Sequence, residues 1–139
     1  MTNYFERQPA VSGRPAEVLA SSTLAALREL NTADEPDALA ALFNLYLDRS
    51  SAQLDALRQA VAAADAPAIA RTAHALKSGS SAIGALNLSA LCTALETAGR
   101  AGAVSGASAT LAALETEYAR VRAALASEIA GLASADTKP

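Results

Sequence analysis

The chain's 139 residues are 52% hydrophobic and carry a formal net charge of −3, with a pI near 5.1. Only two Phe, three Tyr and no Trp accompany an alanine-rich apolar content, which suits one domain of closely packed helices and gives strands little to pair with. There is no basic stripe for nucleic acid, no uncharged apolar run of about 18 residues for a membrane, and no apolar core in "MTNYFERQPAVSGRP" for a signal peptide.

A cytoplasmic protein that neither binds nucleic acid nor inserts into a membrane is therefore expected. The lone Cys92 cannot form an internal disulfide, in keeping with a reducing compartment.

Residues 1–17 mix Pro, Gly, Arg and Gln without period and read as a flexible arm. Ser22 offers an N-cap for a short first helix that carries Leu24, Leu27 and Leu30. A long helix is predicted from about Pro36, where Leu39, Leu42, Phe43, Tyr46, Leu54, Leu57 and Val61 recur at three- and four-residue steps. Asp65 is a natural N-cap for the next helix, with Pro67 just inside it and Gly84 placed to end it near Ile83.

Asn87 can cap a further helix with an apolar line of Leu88, Leu91, Cys92 and Leu95, and Gly99 and Gly102 mark a frayed end. The last helix, from about Ala107 to Leu132, bears Leu111, Leu114, Tyr118, Val121, Leu125, Ile129 and Leu132 on one face. Residues 133–139 read as a disordered tail. The fold expected is all-α: an antiparallel four-helix bundle over residues 18–132, with a short additional N-terminal helix.

The only histidine lies in "RTAHALKSGSSAIGA", among serine and glycine that weaken helices. On a helical wheel Ala73, Leu76, Ser80 and Ile83 fall within about 40° of Ile69 and form the core stripe with it, while His74 stands about 140° from Ile69. Around it on that outer face are Pro67, Ala70, Ser78, Ser81 and Ala85, with Lys77 one turn on. Ala75, Gly79 and Ala82 make a second small-residue flank where an adjacent helix can approach.

One His and one Cys are too few for a nitrogen-and-sulfur zinc site, so no metal site is expected. A dyad with Cys92 fails as well, since Cys92 lies on the core line of its own helix. A solvated or structural histidine is the commoner fate of a lone imidazole. The sharper reading is an exposed nucleophile: unperturbed imidazole has a pKa of about 6.5 and is largely neutral near pH 7. A phosphoryl group on it would be negatively charged, which Lys77 could partly offset.

These residues resemble the histidine-containing phosphotransfer (HPt) domain of multistep two-component signalling. The family pattern is approximately A-H-x-L-K-[GS]-x-[SA]-x-x-[LIV]-G-A, then L-x-x-L-C-x-x-L-E. Here "AHALKSGSSAIGA" stands at 73–85 and "LSALCTALE" at 88–96, and the upstream "LFNLYLDRSSAQLDALRQAVAAAD" is similar to the family's preceding helix. The resemblance covers roughly residues 18–127.

It implies that His74 is the phosphoacceptor, Lys77 a phosphate-stabilising cation, Ser78 the small residue that follows, and Gly84 the glycine after the helix. It further implies partners in response-regulator receiver domains and a hybrid sensor histidine kinase, Mg2+ held by the receiver with no cofactor bound by this chain, and no kinase activity of its own. Ala82 departs from the family, which often has Asn there.

If the two helices around Ala85 and Leu86 form a hairpin, the level opposite His74 falls near residue 97, by equal rise on both. Glu96 and Arg100 flank that level, so Arg100 can reach the site as a second cation. A solvated helix-end arginine favoured by the macrodipole is the alternative. A monomer is expected. Two rival functions stand beside the relay. One is a non-catalytic adaptor of the same fold, which would have no need of the His-x-x-Lys pair; the other is the phospho-accepting segment of a larger sensor kinase.

Overall fold

The computed structural model describes residues 17–136; the arm expected at 1–17 lies outside them except for Glu17, as does the end of the expected tail, 137–139. Five helices follow one another: α1 (Ser21–Arg28), α2 (Ala38–Ala62), α3 (Ala66–Ala82), α4 (Leu86–Ala101) and α5 (Ala107–Asp136). Among the described residues there is no strand. The connections between the long helices are three to five residues long, which forces each to run antiparallel to the one before it.

Cross-helix contacts close the ring. Tyr46 Oη and Ser80 Oγ lie 2.8 Å apart and join α2 to α3. Ser50 Oγ and Tyr118 Oη, also 2.8 Å apart, join α2 to α5. These pairs satisfy hydroxyls that would be costly to bury alone.

The core forms where the apolar lines of the four long helices meet. Phe43, Leu57, Ile69, Ala73, Leu76, Leu88, Cys92, Leu95, Leu114, Val121 and Leu125 are all fully buried. The expected stripe on α3 is thus the buried one, Ser80 included. Cys92 is core, and burial pushes its thiol up to about 12.

Several helix ends differ from expectation for local reasons. Ala20, not Ser22, caps α1, and the amide of Ser21 donates to the Glu17 carboxylate at 3.0 Å. α2 starts at Ala38, because Pro36 sits in the turn before it and the Asn31 side chain accepts from the amide of Leu39 at 2.8 Å. α4 starts at Leu86 after Ala85, with Asn87 already inside the helix. α5 continues to Asp136, four residues past the expected end, so 133–136 is helix.

Two predicted signals hold. The Asp65 side chain caps α3 by accepting from the amide of Ala68 at 3.2 Å, with Pro67 in the first turn. Gly84, at φ +82°, stops α3 after Ile83 in a left-handed conformation that favours a residue without a Cβ. The carbonyl of Gly84 accepts from the amide of Ala20 at 2.9 Å, and a Cβ there would lie 2.8 Å from that of Thr23. The same glycine therefore turns the α3–α4 hairpin and seats α1 on its end. Arg28 of α1 reaches Glu128 of α5 at 3.1 Å.

Candidate functional site

The site is built where α3 and α4 come closest. A Cβ at Gly99 would stand 2.8 Å from both the carbonyl oxygen of Ala66 and the amide nitrogen of Ala70. Only hydrogen at Gly99 permits that backbone approach. The predicted frayed end is thus a tight helix crossing; Gly102, at φ +69°, ends α4 three residues later. The crossing brings the last turns of α4 beside the middle of α3.

Glu96 is the centre of what it brings together. Its side chain is only 7% exposed, yet both oxygens are engaged. Oε1 accepts from Lys77 Nζ at 2.7 Å, while Oε2 lies 2.6 Å from an Arg100 guanidinium nitrogen and 3.0 Å from His74 Nδ1. The Lys77 hydrogen bond holds the Glu96 carboxyl below the usual carboxylate range, with burial opposing and His74 and Arg100 adding to the effect. Glu96 is therefore an anion at neutral pH.

An anionic carboxylate only accepts hydrogen bonds. Neutral His74 must then carry its proton on Nδ1, where it donates to Glu96, and Nε2 is left with a free lone pair. The His74 side chain is 56% exposed, so that nitrogen belongs to a surface and not to a cavity. An open hollow of about 300 Å³ beside it is lined by Ala70, Arg71, His74 and Arg100.

His74, Lys77 and Arg100 are thus brought together, and Ala70 floors the hollow as a small neighbour. The exposed Ser78 donates its hydroxyl to the carbonyl of His74 at 3.1 Å and so stays low against its own helix. Ser81 is turned toward α4, its Oγ 2.6 Å from that of Ser89. Ala85 corrects the wheel. It is fully buried under the hairpin turn and is not part of the exposed face, because α3 ends at Ala82 and the wheel does not extend that far.

A Cβ at Gly79 would stand 3.4 Å from the ring of Tyr46, so this glycine does meet a neighbouring helix, α2. Ala75 and Ala82, expected on the same flank, are exposed. Glu96 carries no role in the reading from sequence, although it sits at the level opposite His74. The available signal was a carboxylate four residues after the buried Cys92 and four before Arg100, at the rim of a core stripe. Among the described residues no group of three His, Cys, Asp or Glu is gathered to hold a metal ion.

A four-helix bundle that presents one histidine on an open face, its tautomer fixed by a buried carboxylate and flanked by cations, is built to offer a nucleophile to something large. The sequence model of the Hpt domain family matches residues 41–124. The crystal structure of histidine-containing phosphotransfer protein B (HptB) from Pseudomonas aeruginosa PAO1 is similar. It shares 34% identity over 82% of this chain and 96% of that one, with a TM-score of 0.76. No curated protein sequence matches. The chain belongs to the Hpt domain family, the phosphotransfer modules of phosphorelays.

Proposed function

We propose that His74 accepts a phosphoryl group from the phosphorylated aspartate of a response-regulator receiver, including that of a hybrid sensor kinase, and relays it to another receiver. The observation that carries this reading is the Nδ1 contact with Glu96, which leaves Nε2 as the nucleophile on an exposed face. In the transfer the Nε2 lone pair forms a bond to phosphorus, and the bond from phosphorus to the aspartate oxygen breaks. The electron pair leaves with the receiver's carboxylate.

The Nδ1 proton stays in place, so the phosphorylated ring gains positive charge, and the Glu96 carboxylate beside it offsets that charge. The same charge makes the ring a good leaving group in the onward step. Phosphoryl transfer depends mostly on positioning and charge stabilisation. Lys77 and Arg100 supply positive charge within reach of the ring, and Ala70 and Ser78 leave clearance for the incoming active site.

Mg2+ is assigned to the receiver, and no cofactor to this chain. No helix of the described residues is long and apolar enough to cross a membrane, and the reading places the protein in the cytoplasm. It acts there as a monomer; the exposed large apolar side chains Leu30, Leu45 and Leu86 stand on three separate segments.

The test is to mix the purified chain with a radiolabelled phosphoreceiver. Label moves to the parent protein and not to His74→Gln. Equal labelling of both proteins would overturn the proposal, and receiver binding without any phosphohistidine would favour an adaptor.

A further inference from the structure

Three cations surround His74, and they are not equivalent. Lys77 and Arg100 both end on the Glu96 carboxylate. Arg71, one turn before His74 on α3, makes no ion pair or side-chain hydrogen bond among the described residues, and it is exposed. Its neighbours three and four residues away are Pro67, Ala68, His74 and Ala75, none of them acidic. Yet Arg71 and Arg100 line the same hollow as His74, one from each helix, over the small floor of Ala70.

Lys77 and Arg100 are already engaged by the Glu96 carboxylate. Arg71 is the cation at the hollow that no carboxylate among the described residues holds. Its guanidinium is a planar fork that matches phosphate oxygens, and it need not leave a carboxylate before engaging them.

We infer that the hollow between Arg71 and Arg100 seats the phosphoryl group carried by His74, with Arg71 as a phosphate-binding residue. This rests on His74 being the phosphoacceptor. The division of labour is then clear. Glu96, held by Lys77 and Arg100, orients the ring, while Arg71 meets the new anion. Arg71 should affect the phosphorylated protein and leave the unphosphorylated one as it is.

The full-length chain can be phosphorylated with phosphoramidate, a small-molecule donor. The Nε2–phosphorus bond forms, the phosphorus–nitrogen bond of the donor breaks, and the nitrogen leaves with a proton as ammonia. The second ionisation of the phosphoryl group is then followed by phosphorus-31 NMR against pH. A nearby cation favours the dianion, so Arg71→Gln raises that pKa by roughly 0.2 to 0.7 of a unit, the span of an exposed ion pair. Arg71→Lys restores part of the shift.

A titration curve for Arg71→Gln that superimposes on the parent's would overturn the inference. So would slower transfer from a phosphoreceiver with that curve unchanged, which would assign Arg71 to the partner's surface. If the parent itself takes no label on His74 from either donor, the phosphoacceptor reading fails and the inference falls with it.

Discussion

The Nδ1 atom of His74 lies 3.0 Å from Oε2 of Glu96, a residue 22 positions later on the neighbouring helix. The contact converts an ordinary surface histidine into one with a defined tautomer. In the proposed transfer it gives the buried carboxylate two uses: one anion fixes the ring proton and then balances the charge of the phosphorylated ring.

Glu96→Gln keeps the shape and removes the charge. A neutral amide can donate as well as accept, so the Nδ1–H tautomer is no longer enforced, and nitrogen-15 NMR of the imidazole should show a mixture. Transfer should slow by roughly ten- to a hundredfold, by analogy with the loss of a partner that orients a metal-bound histidine. The acid limb of stability should change too. Because the folded pKa of Glu96 is depressed, its contribution is present above the unfolded carboxylate value and is lost as pH falls through the folded one. Urea titrations from pH 6 downward should therefore be flatter in the variant.

Gly99→Ala tests the helix crossing. The added Cβ meets backbone atoms of Ala66 and Ala70 at 2.8 Å, which cannot rotate aside. A loss of about 1–3 kcal/mol in denaturant stability is expected, together with slower transfer as Glu96 moves from His74. Gly131→Ala is the control, since nothing lies within 4 Å of a Cβ there. In a helix interior that change should stabilise by about 0.5–1 kcal/mol.

Ala64, at φ +52°, is the only described residue other than glycine with a positive φ. It ends α2 in the conformation that Gly84 adopts after α3, and the amide of Asp65 donates to the carbonyl of Ala60 at 3.0 Å. Ala64→Gly should therefore raise stability by about 1 kcal/mol, read as a higher denaturation midpoint. Transfer should be unaffected, because the turn lies away from His74.

Burial pushes both the Cys92 thiol and the Tyr46 phenol up to about 12, from ordinary values of 9.0 and 10.0. The unfolded chain then releases these protons first as pH rises, so the contribution of these two groups to stability is constant below about 9 and is lost between there and 12. Thermal scans across that window should show the midpoint dropping. In the folded protein Cys92 should stay unreactive to a disulfide reagent at pH 8 and react on addition of urea.

Helix identity was legible because each long segment carries an apolar line at three- and four-residue steps, and Phe43, Ile69, Leu88 and Leu114 on those lines are all core. Helix ends were less so. The Asn31 side chain that satisfies the Leu39 amide comes from outside the helix it caps, so no local pattern announces it. The site divides in the same way. His74, Lys77 and Gly84 share one local motif, and the level count across the hairpin found Arg100. The role of Glu96 depends on the Gly99 crossing, a contact between two backbones, and reading from the α3 sequence alone gave no view of it. Ala85 failed for the opposite reason: a wheel was carried past the end of its helix.

If Glu96 holds the proton of His74 on Nδ1, Nε2 is the attacking atom, and NMR assignment of the phosphohistidine after transfer from a phosphoreceiver identifies that atom. One phosphoryl group per chain is expected, bonded to Nε2 of His74, with the Nδ1 proton retained. Phosphate on Nδ1, or on any other residue, would overturn the proposed transfer.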